Sequence, residues 1–418
     1  MQVHPCAARG TGHTAGLNRA SLTALPLHAN AAWVVIAAGV CAALHVGKLP
    51  PAISALQAAL DVSLVQAGFL LSAVQLAGMG LGIAVGTAAE SFGARRSMVA
   101  GLLLLAAASA LGAMAQTVAW LLLLRALEGL GFLLVVLPAP GLLRRLVPEA
   151  ELSRCLGVWS AYMPVATTLA LLTGPGAIAV VGWRGWWGGL AALTLLMGWW
   201  LQRAVPPVPT ITTTREPWQT RLRETLAARG PWLAAMCFAL YAAQWLAVIG
   251  FLPLIYTRAG IGGGATALLS AGVAAVNIAG NVASGRLLQR GVAAATLLRC
   301  GFITMALGCV LAYAEAPGIG PWLRYLGVLA FSGIGGLIPA TLFAEGLRVA
   351  PTERGIASTV GWMQQWSALG QFSGPPLVAW LAGTGAGWAG TWWLSGACAI
   401  VALALIPALA ASAKRGFP

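Results

Sequence analysis

Charge is what this chain has least of. Only 8% of its 418 residues are Asp, Glu, Lys or Arg, where soluble domains carry about 25%. Hydrophobic residues make up 59%. A water-soluble fold of this length cannot hide so much apolar surface, so the solvent around most of the chain is lipid. Catalytic signatures are missing as well: there is no HExxH, no nucleophile elbow and no Walker A loop. Neither enzyme chemistry nor a pump driven by ATP is therefore expected. The seven cysteines (Cys6, Cys41, Cys155, Cys237, Cys300, Cys309 and Cys398) form no CxxC pair and avoid the expected outer loops. That argues against disulfides and zinc, and no cofactor is expected. Residues 1–30 lack an apolar core of signal-peptide length and read as a cytoplasmic tail.

What remains is a series of long apolar stretches. A bilayer core of about 30 Å takes roughly 20 helical residues. Twelve spans are expected near 31–56, 64–88, 97–115, 118–142, 155–181, 185–204, 232–257, 265–288, 293–313, 321–344, 356–382 and 388–411. Ser63 and Gln66 form a capping box at the start of span two. The expected fold class is an all-α polytopic membrane protein of twelve helices in two six-helix bundles.

The net charge of +14 does not indicate nucleic acid, because the cations fall in short alternate gaps rather than on a patch. Nineteen of the 24 Lys and Arg lie on one side, among them Arg95, Arg96, Arg144, Arg145 and Arg154, and the opposite side holds only Arg184, Arg258 and Arg324. By the positive-inside rule the crowded side is cytoplasmic and both termini lie there. A bacterial-type inner membrane is the expected location. The gap 205–230, with Pro206, Pro207 and Pro209, reads as a cytoplasmic linker between bundles 31–204 and 231–411, followed by a tail at 412–418.

The halves echo each other. Thr173-Gly174-Pro175 recurs as Ser373-Gly374-Pro375, and Gly182-Trp183 recurs as Gly387-Trp388. Gly86, Glu90 and Ser91 recur as Gly285, Gln289 and Arg290. Offsets of 199 to 205 between matching topological places argue for a duplicated six-span unit, an arrangement common among secondary transporters.

With these features the chain resembles the major facilitator superfamily over nearly all its length. The loop Gly86-Thr-Ala-Ala-Glu90-Ser91-Phe-Gly93-Ala-Arg95-Arg96 is similar to that family's G-x-x-x-D-R-x-G-R-R loop. Arg125-Ala-Leu-Glu128-Gly129-Leu-Gly131 is similar to its R-x-x-Q-G-x-G run in span four, and Gly174-Pro175 stands where its Gly-Pro motif is found. The run His45-Val-Gly-Lys48-Leu-Pro50-Pro51 further resembles cyanate and nitroimidazole permeases, as does Gly-Leu-Ile-Pro-Ala-Thr-Leu-Phe at 336–343. The resemblance implies alternating access and a gating role for Gly86, Glu90, Gly93, Arg95 and Arg96. Glu90 replaces the family's Asp and Ser91 its Arg, which implies a looser latch; the loop also reads as an ordinary solvated turn.

Charge inside a span costs about 2.5–3.5 kcal/mol on insertion scales, so it needs a reason. Lys48, Arg125 and Glu128 qualify. At a rise of about 1.5 Å per residue, Lys48 and Arg125 both sit roughly 10–12 Å below the outer ends of their spans. Under the functional reading they hold a small anionic substrate while Glu128 exchanges a proton. Under the other reading Arg125 and Glu128, three residues apart, form a self-neutralising pair, and Lys48 snorkels. His45 lies one turn from Lys48 and reads as a hydrogen-bonded structural residue or a proton carrier. Tyr162, Tyr241, Gln244, Trp245, Asn277, Gln364 and Gln365 are uncharged candidates for substrate contact or for interhelical hydrogen bonding. Trp183, Trp186, Trp187, Trp199 and Trp200 read as interface anchors. Pro50, Pro51, Pro253, Gly174 and Pro175 are candidate hinges. The expected function is a monomeric secondary transporter of a small anion, with efflux of drugs or apolar metabolites as the alternative and a non-transporting membrane sensor as a second.

Overall fold

The computed structural model describes residues 29–82, 92–207, 218–314, 318–352, 355–385 and 387–414. The described residues contain helices and connecting turns and no strand. This is the form that lipid imposes, since a helix satisfies its own backbone hydrogen bonds where water cannot. In chain order the helices are α1 (Ala29–Gly47), α2 (Ile53–Leu60), α3 (Leu64–Ser72), α4 (76–82), α5 (Ala94–Ala113), α6 (Val118–Val136), α7 (Ala139–Leu146), α8 (Glu149–Ser160) and α9 (Tyr162–Ala204). After α10 (Trp218–Ala227) come α11 (Arg229–Arg258), α12 (Gly263–Gln289), α13 (Ala294–Tyr313), α14 (Pro321–Gly335), α15 (Leu337–Val349), α16 (Ile356–Gly383) and α17 (Thr391–Ala413).

Ten helical stretches among the described residues are long and apolar enough to cross a bilayer. The difference from twelve has two physical sources. Expected spans five and six merge into the 43-residue α9, bent where Gly182 takes φ 69° and ψ 171°, a conformation open to glycine at little cost. Expected span eleven is α16, 28 residues long, whose Gln364, Gln365 and Gln371 dilute its apolar character. Part of the expected linker is helical. Residues 218–227 form α10, and α11 begins at Arg229 rather than 232.

The capping box forms as expected: Gln66 N–H donates to Ser63 Oγ at 3.2 Å, and Ser63 N–H donates to Gln66 Oε1 at 2.9 Å. The sequence repeat reappears in backbone detail. Thr173 Oγ1 donates to Leu169 O at 2.8 Å, and at the same offset Ser373 Oγ donates to Leu369 O at 2.9 Å. Gly182 and Gly387 both have positive φ, 69° and 54°. Gly86, Glu90 and Ser91 lie outside the described residues.

Three apolar clusters organise the packing. One is built mainly from α1 and α5–α9, a second mainly from α11–α17. The third joins the two sets: Leu49, Ile53, Leu70 and Leu71 meet Phe251, Leu254, Val378 and Ala379. These residues flank the 61–63 turn, so the two sets of helices close on each other at the expected outer end. Lipid removes most of the hydrophobic drive between helices, and close backbone approach replaces it. Gly370 and Gly374 of α16 lie against the carbonyls of Ala239 and Ala243 of α11. Gly129 of α6 lies against the Val74 carbonyl in the same way, and a Cβ at any of these three positions would overlap backbone.

Candidate functional site

Lys48 stands at the break where α1 ends at Gly47 and the Pro50–Ala52 3-10 turn begins. Its amide still donates to Leu44 O at 2.8 Å, so its side chain projects into the bundle rather than along the helix end. Arg125 and Glu128 come from one face of α6. All three side chains are buried, at 0%, 0% and 1% exposure.

One carboxylate serves both cations. Glu128 Oε1 accepts from Lys48 Nζ at 2.5 Å, and Oε2 accepts from Arg125 Nη1 at 2.6 Å. An ammonium has three donors and a guanidinium five. Lys48 uses all three: the others go to Ser109 Oγ at 2.8 Å and His45 Nδ1 at 3.1 Å, with the ammonium also 4.6 Å from the Trp187 ring centroid. Arg125 Nε donates to Leu70 O at 3.1 Å and Nη1 to His45 O at 2.5 Å. Its Nη2 is buried with no partner among the described residues. The cluster thus carries two cations, one anion and an unused pair of N–H groups.

The tautomer of His45 follows from donor arithmetic. Lys48 Nζ only donates, so Nδ1 accepts and is unprotonated. The ring proton is on Nε2, which donates to Thr194 Oγ1 at 2.8 Å, and Thr194 donates onward to Leu190 O at 2.7 Å. Ser109 likewise passes its proton to Trp187 O at 3.1 Å. A polar network therefore ties α1, α5, α6 and α9 together and reaches α3 through Leu70.

The expectation that Lys48 snorkels does not hold, since its ammonium is sequestered by three acceptors. Nor do the cations line an open cavity in this conformation. The cleft between the two sets of helices, about 50 Å³ in volume, is bordered by Gln75, Gly78, Phe132, Tyr162, Gln364, Gln365 and Gln371, among others. Ligand pockets usually measure about 300–1,000 Å³, so the cleft is nearly closed in this conformation. Among the described residues, two bonds cross between the sets at this level: Gln75 Nε2 to Gln371 Oε1 at 3.0 Å and Gln365 Nε2 to Met79 O at 2.7 Å.

Of the uncharged candidates, Tyr162, Gln364 and Gln365 border that cleft. The others are held in packing contacts. Asn277 Nδ2 donates to Ser332 O at 2.8 Å and to Tyr241 Oη at 3.3 Å. Trp245 Nε1 donates to Ser332 Oγ at 3.3 Å, and Gln244 Oε1 accepts from Ser395 Oγ at 2.6 Å. That last bond is the repeat counterpart of His45 with Thr194, offset by 199 and 201 residues. The second half keeps this interhelical contact and has Ala247 where the first has Lys48.

Among the hinge candidates, Pro51 packs on Gly174, where a Cβ would come within 2.6 Å of the proline ring. Pro175 and Pro253 lie inside continuous helices, and Pro50 opens the 3-10 turn. In the gating loop, Gly93 takes φ 97° to start α5, Arg95 donates to the Gln202 carbonyl, and Arg96 is exposed. Gly86 and Glu90 fall outside the described residues.

Two assignments from sequence change. Trp183 and Trp187 are not interface anchors but are buried, at 5% and 0%, and Trp186 Nε1 donates to Lys48 O at 3.1 Å. Trp199 and Trp200 do face outward, at 60% and 48%. Ser109 and Thr194 went unnoticed in the sequence. Thr194 carried a usable signal, its match with Ser395 at the repeat offset.

A sequence profile of the Major Facilitator Superfamily matches residues 35–360. No curated protein matches the chain. Among solved structures, a bacterial homolog of the human lysosomal transporter Spinster, in an inward-facing and occupied conformation, is similar with TM-score 0.74 and 16% identity, covering 94% of this chain and 98% of that one. The same homolog in its unoccupied inward-facing conformation gives 0.74 and 14%, covering 94% and 99%. A D-xylose-proton symporter gives 0.71 and 17%, covering 90% and 96%. At these identities the likeness speaks for the fold alone.

Proposed function

Since the chain belongs to the major facilitator superfamily, a family of transporters rather than enzymes, we propose that it moves a small anion by alternating access with a proton as coupling ion. One observation carries this reading: a single carboxylate neutralises two buried cations, leaving surplus positive charge and two unspent N–H groups on Arg125. Glu128 occupies the place that a substrate anion would take. A proton on Glu128 weakens its hold on both cations, and an anion then replaces it at Arg125 and Lys48. When anion and proton leave, the carboxylate re-engages. The empty carrier then changes conformation with one surplus buried cation rather than two, and each stranded buried charge costs several kcal/mol.

The twelve-span count, the division at 205–230 into two six-helix bundles, the cytoplasmic termini, the inner-membrane location and the monomeric state belong to the same proposal. The first three are supported by the cation distribution and the repeat offsets. Pro50, Pro51, Pro253, Gly174 and Pro175 would absorb the bending, and Gly86, Glu90, Gly93, Arg95 and Arg96 would latch the cytoplasmic side. The likeness of residues 45–51 and 336–343 to cyanate and nitroimidazole permeases supports a small substrate, and the D-xylose-proton symporter supports a proton as partner.

A second reading draws on the cleft, where Tyr162, Gln364, Gln365, Gln75 and Gln371 present amides and a phenol but no charge. That lining suits a neutral substrate or an exported apolar metabolite, with the charge cluster left to move the proton. Counterflow in proteoliposomes separates the two. The anion reading expects exchange of small anions that Arg125→Gln abolishes, and a Glu128→Gln variant that exchanges but ignores a pH gradient. Exchange of neutral solutes only, untouched by Arg125→Gln, would establish the second reading instead.

A further inference from the structure

Helix α10 presents a face that no other element among the described residues covers. Gln219, Leu222, Arg223, Leu226 and Ala227 recur at i, i+3, i+4, i+7 and i+8, one stripe of a helix, and all are exposed but the half-buried Leu222. The opposite face is docked. Thr225 is fully buried, and Trp232 Nε1 of α11 donates to Leu226 O at 2.9 Å. Trp232 in turn packs edge-on against Trp362 and Trp366 of α16, with centroids 4.9 and 5.7 Å away.

Only Ala228 separates α10 from α11, one of the membrane-crossing helices. A helix tied that closely to the end of a spanning helix, and held there by Trp232, stands near the membrane surface. Lipid headgroups are within reach of its free stripe there, and such a surface takes amphipathic helices of low net hydrophobicity with cationic residues. The charges match such a surface. Arg221, Arg223 and Arg229 stand against one acid, Glu224. Arg223 and Arg229 are exposed, and neither takes part in an ion pair among the described residues.

We propose that α10 is a binding element for anionic phospholipid. Arg223 and Arg229 hold the headgroup phosphate through charge-assisted hydrogen bonds, and Leu222 and Leu226 reach the acyl boundary. The docked face holds this element against α16, the helix whose Gln364 and Gln365 border the cleft.

Hydrogen–deuterium exchange on the full chain in nanodiscs tests this, comparing pure phosphatidylcholine with a phosphatidylcholine–phosphatidylglycerol mixture. Amides of 219–228 should exchange more slowly in the mixture. Arg223→Gln and Arg229→Gln should each remove a factor of about five from that difference, the effect of one cation near an anionic surface. Exchange in α13, remote in sequence from the linker, should be the same in all samples and so reports an intact fold. Equal exchange of 219–228 in the two lipids overturns the proposal. So does a difference that survives in the double variant. The wild-type comparison decides the matter alone if the variants do not fold.

Discussion

Glu128→Gln is the most informative single change, because the cluster's charge balance assigns it a size. Wild type holds two cations and one carboxylate in a site sealed from water. Removing Lys48 as Lys48→Met leaves the Arg125–Glu128 pair, which is neutral. Its cost is the lost hydrogen bonds to Glu128, Ser109 and His45 and the contact with Trp187, offset in part by relief of the surplus charge, about 1–2 kcal/mol. Removing the carboxylate leaves two cations facing an amide whose N–H₂ end also donates. Breaking a buried ion pair on one side costs about 3–5 kcal/mol, so Glu128→Gln should destabilise roughly twice as much as Lys48→Met. Adding Lys48→Met to Glu128→Gln should restore part of the loss, since one stranded cation is then gone. Denaturant unfolding of the purified protein in detergent measures all three. The same variants test the anion reading. If Glu128 holds the place of substrate, a small anion should stabilise Glu128→Gln much more than wild type, by about 2.7 kcal/mol at a hundred times its dissociation constant. A Glu128→Gln variant no weaker than Lys48→Met would refute the electrostatic reasoning. One that is weak but stabilised by none of cyanate, nitrate, formate or chloride would refute the anion.

Two further changes probe the packing and the closed cleft. Gly129→Ala puts a methyl into the Val74 carbonyl and should cost about 1–3 kcal/mol of overpacking. Gly188→Ala in α9, with nothing within 4 Å of the new methyl, should instead stabilise by about 0.5–1 kcal/mol; equal effects in unfolding titrations would rule out the close approach of α6 to the Ala73–Gln75 turn that follows α3. Gln75→Ala removes the hydrogen bond to Gln371, worth about 1 kcal/mol, and should shift the balance toward an opened cleft about fivefold. Spin labels on α4 and α16 report this by double electron–electron resonance, and an unchanged distance distribution would show that the bond does not hold the cleft shut.

Much of this protein was legible in one dimension because lipid simplifies the problem. Apolar length marks the helices, since no other open-chain structure satisfies its backbone in hydrocarbon. Lys48, Arg125 and Glu128 stood out for the same reason: charge in an apolar run is expensive enough to be noticed. The repeat survived as Thr173 with Ser373 and Gly182 with Gly387, because a side chain bonded to its own helix and a glycine with positive φ are local needs. Local signals ran out where partners come from distant helices. Trp187 looks like any tryptophan near a span end until Lys48 is found against its ring.

The sequence by itself therefore determined that the chain spans a membrane, roughly where, and which charges are out of place. Those follow from composition and from spacing along one helix. Only the tertiary structure decided how the exceptional charges are spent, because that depends on which helices meet. It brought the carboxylate of α6 onto a lysine eighty residues away, saturated that lysine with Ser109 and His45, and left Arg125 with the unused donors. It also showed the amides of Gln75, Gln364, Gln365 and Gln371, from two distant parts of the chain, to be the border of one closed cleft.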